Sequence, residues 1–166
     1  MAAAHARFAG ISVLVVDDDA HMRKIIRSLL MGFGIGQVYE AGDGAQGLEQ
    51  VHQFRPDVIV TDWEMPMLNG AEMVRLIRNP KTSPQATVPI ILATAHTQRR
   101  RIQEALRLGV NEVLAKPFSA KSLMQRLDAV IHRPRPFLHV AGYFGPMPRD
   151  GRLAAAGRPR TAAAAE

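Results

Sequence analysis

Five apolar runs, each followed by a stretch of helical periodicity, constrain this chain more than any other feature. "ISVLVV", "QVYEA", "DVIVTD", "IILAT" and "EVLA" read as strands, rich in branched side chains and bounded by turn formers. After the first, Met22, Ile25, Ile26, Leu29 and Leu30 recur at the three and four spacing of an amphipathic helix, which Gly32 and Gly34 stop. "GAQGLEQVHQF", "NGAEMVRLIR", "TQRRRIQEALRLG" and "SAKSLMQRLDAVI" supply four more helices. The third of these five helices ends before Pro80, the fourth closes on Gly109, and the last starts from Ser119 as its N-cap. Each crossover must return the chain to the same end of the sheet. The expected fold is therefore an α/β doubly wound domain: a five-stranded parallel sheet with helices on both faces.

Such a sheet gathers chemistry outside the carboxyl ends of its strands. There the chain places Asp17, Asp18 and Asp19 after the first strand, Asp62 after the third, Thr94 after the fourth and Lys116 after the fifth. Neighbouring carboxylates repel one another, and desolvation makes each harder to ionise. A hard divalent cation takes oxygen ligands and keeps several waters, so Asp17, Asp18 and Asp62 would suffice to seat one. Carboxylates also accept phosphoryl groups, and Lys116 and Thr94 are suited to holding phosphate oxygens. Each residue alone has a plainer reading. Three acids in a row suit a helix start, and Thr94 suits a helix cap.

Taken together, "VVDDD", "VTDWEMPMLNG", "ILATA" and "AKPF" resemble the receiver domain of two-component response regulators, and chemotaxis-type single receivers in particular. The resemblance covers residues 10–131, leaving 1–9 as an N-terminal extension and 132–166 as a Pro/Arg/Ala-rich tail. It implies a flavodoxin-like (βα)5 fold with sheet order 2-1-3-4-5. Carried onto this chain, it makes Asp62 the phosphoacceptor and Asp17 and Asp18 magnesium (Mg2+) ligands alongside Asp62 and the backbone carbonyl of Glu64. Thr94 becomes the switch hydroxyl and Lys116 the lysine on the phosphoryl group, with the Lys116–Pro117 bond cis. The implied partners are a sensor histidine kinase or phosphotransfer protein as donor and a downstream protein as target. Glu64 and His96 fall at positions that influence phosphoryl lifetime in the family. One departure stands out: the family's Tyr or Phe in the fifth strand is Val113 here, which has no ring to swing.

Charge separates the tail from the rest. Residues 1–116 carry 13 Lys and Arg against 12 Asp and Glu, whereas residues 117–166 carry 8 against 3. Prolines 134, 136, 146 and 148 break the tail, so no DNA-reading helical output domain is expected in it. Its segment 134–146, with Phe137, Leu138, Val140, Tyr143 and Phe144, suits an extended arm packed on the receiver or on a partner subunit, the latter giving a homodimer. Residues 149–166 are expected to stay flexible, and a tail disordered throughout is the competing reading. The block "YFGP" resembles an extension on some alphaproteobacterial single-domain receivers.

Two other functions compete with this reading. The Arg-bearing tail with interleaved aromatics suggests a nucleic-acid-associated protein, though its arginines are sparse. Asp17 and Asp19 also fit the Asp-x-Asp start of haloacid-dehalogenase-type phosphatases, as nucleophile and general acid. That reading lacks a later acidic motif. No cysteine is present, which excludes thiolate chemistry and disulfides. No apolar run approaches the roughly 20 residues of a membrane span, and the start is unlike a secretory signal. The cytoplasm is the expected location.

Overall fold

The computed structural model describes residues 2–152. In chain order its elements are α1 (Ala2–Arg7), β1 (Ser12–Val16), α2 (Ala20–Gly32), β2 (Gln37–Ala41), α3 (Gly44–Phe54), β3 (Val58–Thr61), α4 (Gly70–Ile77), β4 (Ile90–Thr94), α5 (Arg99–Arg107), β5 (Glu112–Ala115), α6 (Ala120–His132), β6 (Phe137–Val140) and β7 (Tyr143–Pro146). The first five strands form one parallel sheet in the order β2-β1-β3-β4-β5. This is the flavodoxin-like arrangement expected from the sequence.

Alternation along β1 explains the two cores. Successive side chains of a strand point to opposite faces. Val13 and Val15 face a cluster with Ile26 and Leu30 of α2 and Leu123 and Leu127 of α6. Leu14 and Val16 face a second cluster with Val51 of α3 and Met73 and Val74 of α4. Burial on both faces is why β3 and β4 are apolar up to their final threonines, Thr61 and Thr94. Helix starts follow local chemistry: Asp19, Asp43, Asn69 and Ser119 each cap a helix with a side-chain oxygen. The helix after Thr94 starts instead at Arg99, with Gln98 as an N-cap that makes no side-chain bond. Thr94 is therefore not a helix cap.

The chain on either side of the receiver is built into it. Phe8 is buried in the core beside α2 and α6. His132 Nε2 and the Arg7 carbonyl oxygen lie 3.1 Å apart, and Asp128 pairs with the Arg7 guanidinium. At the other end, residues 137–146 form an antiparallel hairpin rather than the extended arm expected, with Phe137 opposite Pro146 and Val140 opposite Tyr143. The turn Ala141-Gly142 explains this, because Gly142 takes a positive φ of 78° that lets the strands fold back. The prolines sit at hairpin ends, where no ladder bond is lost. The flexible stretch expected at 149–166 falls mostly on residues 153–166, outside the described residues. No helix among the described residues is long and apolar enough to cross a membrane.

Candidate functional site

Sheet register brings the acids together. Val16 of β1 pairs with Thr61 of β3, so the next residues, Asp17 and Asp62, leave neighbouring strands side by side. Asp62 N donates to Val16 O at 2.9 Å, and Asp17 N donates to Ala41 O at 3.1 Å. Thr94 pairs with Ala115 at the far side, and Lys116 N donates to Thr94 O at 2.8 Å. Four strand ends thus converge as the motif order predicts.

The three consecutive acids have three different surroundings. Asp17 is 2% exposed, and its Oδ1 accepts from Asp19 N at 2.9 Å. Asp18 is exposed and joins Asp17 and Asp62 in a group whose carboxylate oxygens lie within 4.8 Å of one another. Asp19 turns away to cap α2, accepting from His21 N and Met22 N. That engagement removes the general acid the phosphatase reading needs. One acid is a fixed wall, one is free to bind, and one starts a helix.

Lys116 compensates this cluster. Its ammonium donates to Asp17 Oδ2 at 2.8 Å and to Asp62 Oδ2 at 3.3 Å. Burial disfavours the ammonium, but the hydrogen bond to Asp17 and the charge of Asp62 outweigh it and hold the lysine above its ordinary value. Asp62 moves upward as well. Burial raises it, Lys116 and the hydrogen bond from Trp63 N pull it down, and Asp17 pushes it up again. Neutralisation is therefore incomplete. The donor set is all oxygen, clustered and short of positive charge, which fits a hard divalent cation held by Asp17, Asp18 and Asp62.

The loop after Asp62 is held against it by a glycine the sequence reading passed over. A Cβ at Gly70 would meet Asp62 O at 2.3 Å and Trp63 Cα at 2.9 Å. Gly70 N donates to Trp63 O at 2.9 Å, closing the loop over residues 63–69. Trp63 is buried in the core cluster with Met73 and Val74. The Glu64 side chain is exposed and pairs with Arg101 at the start of α5, so one of the three consecutive arginines has an acidic partner within the chain. Thr94 is buried, and its hydroxyl accepts from His96 N at 3.0 Å instead of engaging Asp62 or Lys116. The Lys116–Pro117 bond is cis.

Comparison with known proteins agrees with this geometry. Residues 13–128 match the response regulator receiver domain. Chemotaxis protein CheY of Pseudomonas aeruginosa is 36% identical over 121 residues, covering 73% of this chain and 96% of that protein. The crystal structure of CheY4 of Vibrio cholerae superposes with a TM-score of 0.68 at 32% identity, over 74% of this chain and 100% of that one. The receiver domain of a sensor histidine kinase from Pseudomonas aeruginosa, solved with a magnesium ion in its active-site cleft, superposes with a TM-score of 0.65 at 31% identity, over 72% of this chain and 96% of that one. With the strand order, the carboxylate cluster and the lysine all in place, the chain belongs to the response regulator receiver domain family.

Proposed function

We propose that this chain is a phosphoacceptor switch. An Asp62 carboxylate oxygen attacks the phosphorus of a phosphohistidine on a sensor histidine kinase or phosphotransfer protein. The new O–P bond forms as the N–P bond breaks, and the leaving imidazole nitrogen takes a proton. Lys116 follows the charge on the acceptor and the transferred oxygens. Asp17, 2% exposed and braced by Asp19 N, keeps that ammonium in place. Thr94 Oγ1 can leave His96 N to donate to a phosphate oxygen. Asp17, Asp18, Asp62 and the Glu64 carbonyl would hold magnesium, which would supply the remaining neutralisation of charge. Output passes to a protein target through altered surface contacts, and Val113 means this change proceeds without a swinging ring.

The observation that carries the reading is one ammonium shared between Asp17 and Asp62 beside an exposed third carboxylate. The magnesium ion in the active-site cleft of the similar kinase receiver domain supports the choice of metal. Incubation with a small-molecule phosphodonor and magnesium is expected to add one phosphoryl group by intact-mass measurement, and Asp62→Asn to add none. Equal labelling of the variant refutes the assignment.

A further inference from the structure

At the opposite end of β5 from Lys116 lies a cleft between that strand, α6 and the tail. Glu112 opens β5, Gln125 and Arg126 come from α6, Arg133 is its C-cap, and Arg135 and Arg149 flank the hairpin. These residues line a volume of about 470 Å³. Sites for small ligands commonly span roughly 300–1,000 Å³.

Four guanidiniums here face one lining carboxylate. Glu112 is buried and shared: Arg149 donates to its Oε1, and Arg126 Nη1 lies 4.0 Å from its Oε2. Among the described residues Arg135 pairs with no carboxylate. It donates to the backbone carbonyls of Met147, at 2.7 Å, and of Asn111. Arg133 reaches Asp128 at 3.4 Å, an acid already engaged with Arg7 and His132.

Arg126 and Arg135 are half-buried and Arg133 and Arg149 exposed, yet each guanidinium is anchored on one side and keeps further N–H donors of its fork unspent. Arg126 is held this way too, its Nε donating to Val113 O at 3.1 Å. Prior anchoring lowers the ordering cost of binding. Concave walls focus the positive potential. The planar fork matches phosphate oxygens in pairs, and a guanidinium is more weakly hydrated than an ammonium. Glu112 takes one donor from Arg149 and lies 4.0 Å from Arg126 Nη1, so most N–H groups of both forks are left for a ligand.

We propose that this cleft binds a small phosphorylated anion of nucleoside diphosphate size, held by Arg126 and Arg149 with Arg133 and Arg135 beside them. Because Arg135 and Arg149 bracket the hairpin in sequence, an occupied cleft also fastens the tail to β5 and α6. Binding here needs no phosphorylation of Asp62, so its failure leaves the phosphoacceptor reading untouched.

Isothermal titration of the full chain with ADP, GDP and inorganic pyrophosphate, in EDTA at about 150 mM salt, tests the proposal. Saturable one-to-one binding is expected with a Kd below about 1 mM for at least one of them. Arg126→Gln and Arg149→Gln are expected to weaken it by about tenfold, while Arg100→Gln, which removes the same charge from an exposed position on α5, stays within about twofold. Should Arg126→Gln melt early by circular dichroism, Arg149→Gln alone decides, since it lies beyond the hairpin and outside the core. No saturable binding overturns the proposal, as does equal weakening by Arg100→Gln. Tighter binding of a single-stranded oligonucleotide or of polyglutamate than of any diphosphate also overturns it, in favour of a polymer groove.

Discussion

At the carboxyl end of the parallel sheet, Asp17 and Asp62 share one ammonium beside the exposed Asp18, whereas at the amino end Arg78 sits among neutral acceptors. Arg78 is buried, and its guanidinium donates to Gly109 O and Ala86 O at 2.9 Å and to Asn111 Oδ1 at 2.8 Å. Asn111 Oδ1 also accepts from Ile90 N at 3.0 Å, so the side chain ties the starts of β4 and β5. Phe137 of the hairpin lies over the guanidinium, 4.9 Å from its ring centre. Burial lowers Arg78 to about 9, and it remains charged at neutral pH. A buried charge whose three nitrogens each meet a dipole is finished business and acts as structure. The carboxylates are left in conflict, and conflict is what a cation or a phosphoryl group can relieve.

Arg78→Met tests the structural half of this contrast most severely. Removing the guanidinium strips the buried Gly109 O and the half-buried Ala86 O of their donor, while Asn111 Oδ1 keeps Ile90 N, and a loss of about 2–4 kcal/mol is expected in urea unfolding. Magnesium affinity in the variant, measured where it is still folded, is expected to be unchanged. A loss below about 1 kcal/mol would break the contrast.

The acidic end should respond with the opposite sign. Asp62 holds its proton more tightly when folded than the ordinary value of 3.8, so folding disfavours its charged form. Wild-type stability therefore falls as pH rises from about that ordinary value through the raised one, then levels. Asp62→Asn has no such charge, so in EDTA its melting temperature is expected to match wild type in acid and exceed it at neutral pH. Saturating magnesium reverses the neutral ranking, because only the wild type keeps all three carboxylates. A variant less stable than wild type at neutral pH without metal contradicts the incomplete neutralisation argued for this site.

The smallest effect is expected at the hairpin. A two-stranded hairpin is marginal by itself, and this one leans on Arg78 and on Gly109, where a Cβ would meet Phe144 O at 2.6 Å. Phe137→Ala removes the ring over the guanidinium. Amides of 137–146 are expected to exchange faster, while global stability drops by no more than about 2 kcal/mol. Unchanged exchange would show that the hairpin is held elsewhere.

Local pattern alone determined the five strands, the helices between them and the strand ends that carry Asp17, Asp62, Thr94 and Lys116. Periodicity reports which face of an element is buried, and in a parallel sheet every strand end falls on one edge whatever the details of packing. Ser119 and the start of α6 were legible for the same reason, since capping is settled within four residues. Tertiary structure decided what no local pattern carries. Arg78 meets Asn111 across 33 positions, and its acceptors are neutral groups with no charge signature in the sequence. The division of labour among Asp17, Asp18 and Asp19 depends on Lys116, 99 residues from Asp17, and on the direction in which α2 leaves β1. The hairpin was hidden because prolines signal broken structure, and only its docking against Gly109 and Arg78 makes two short strands worth ordering.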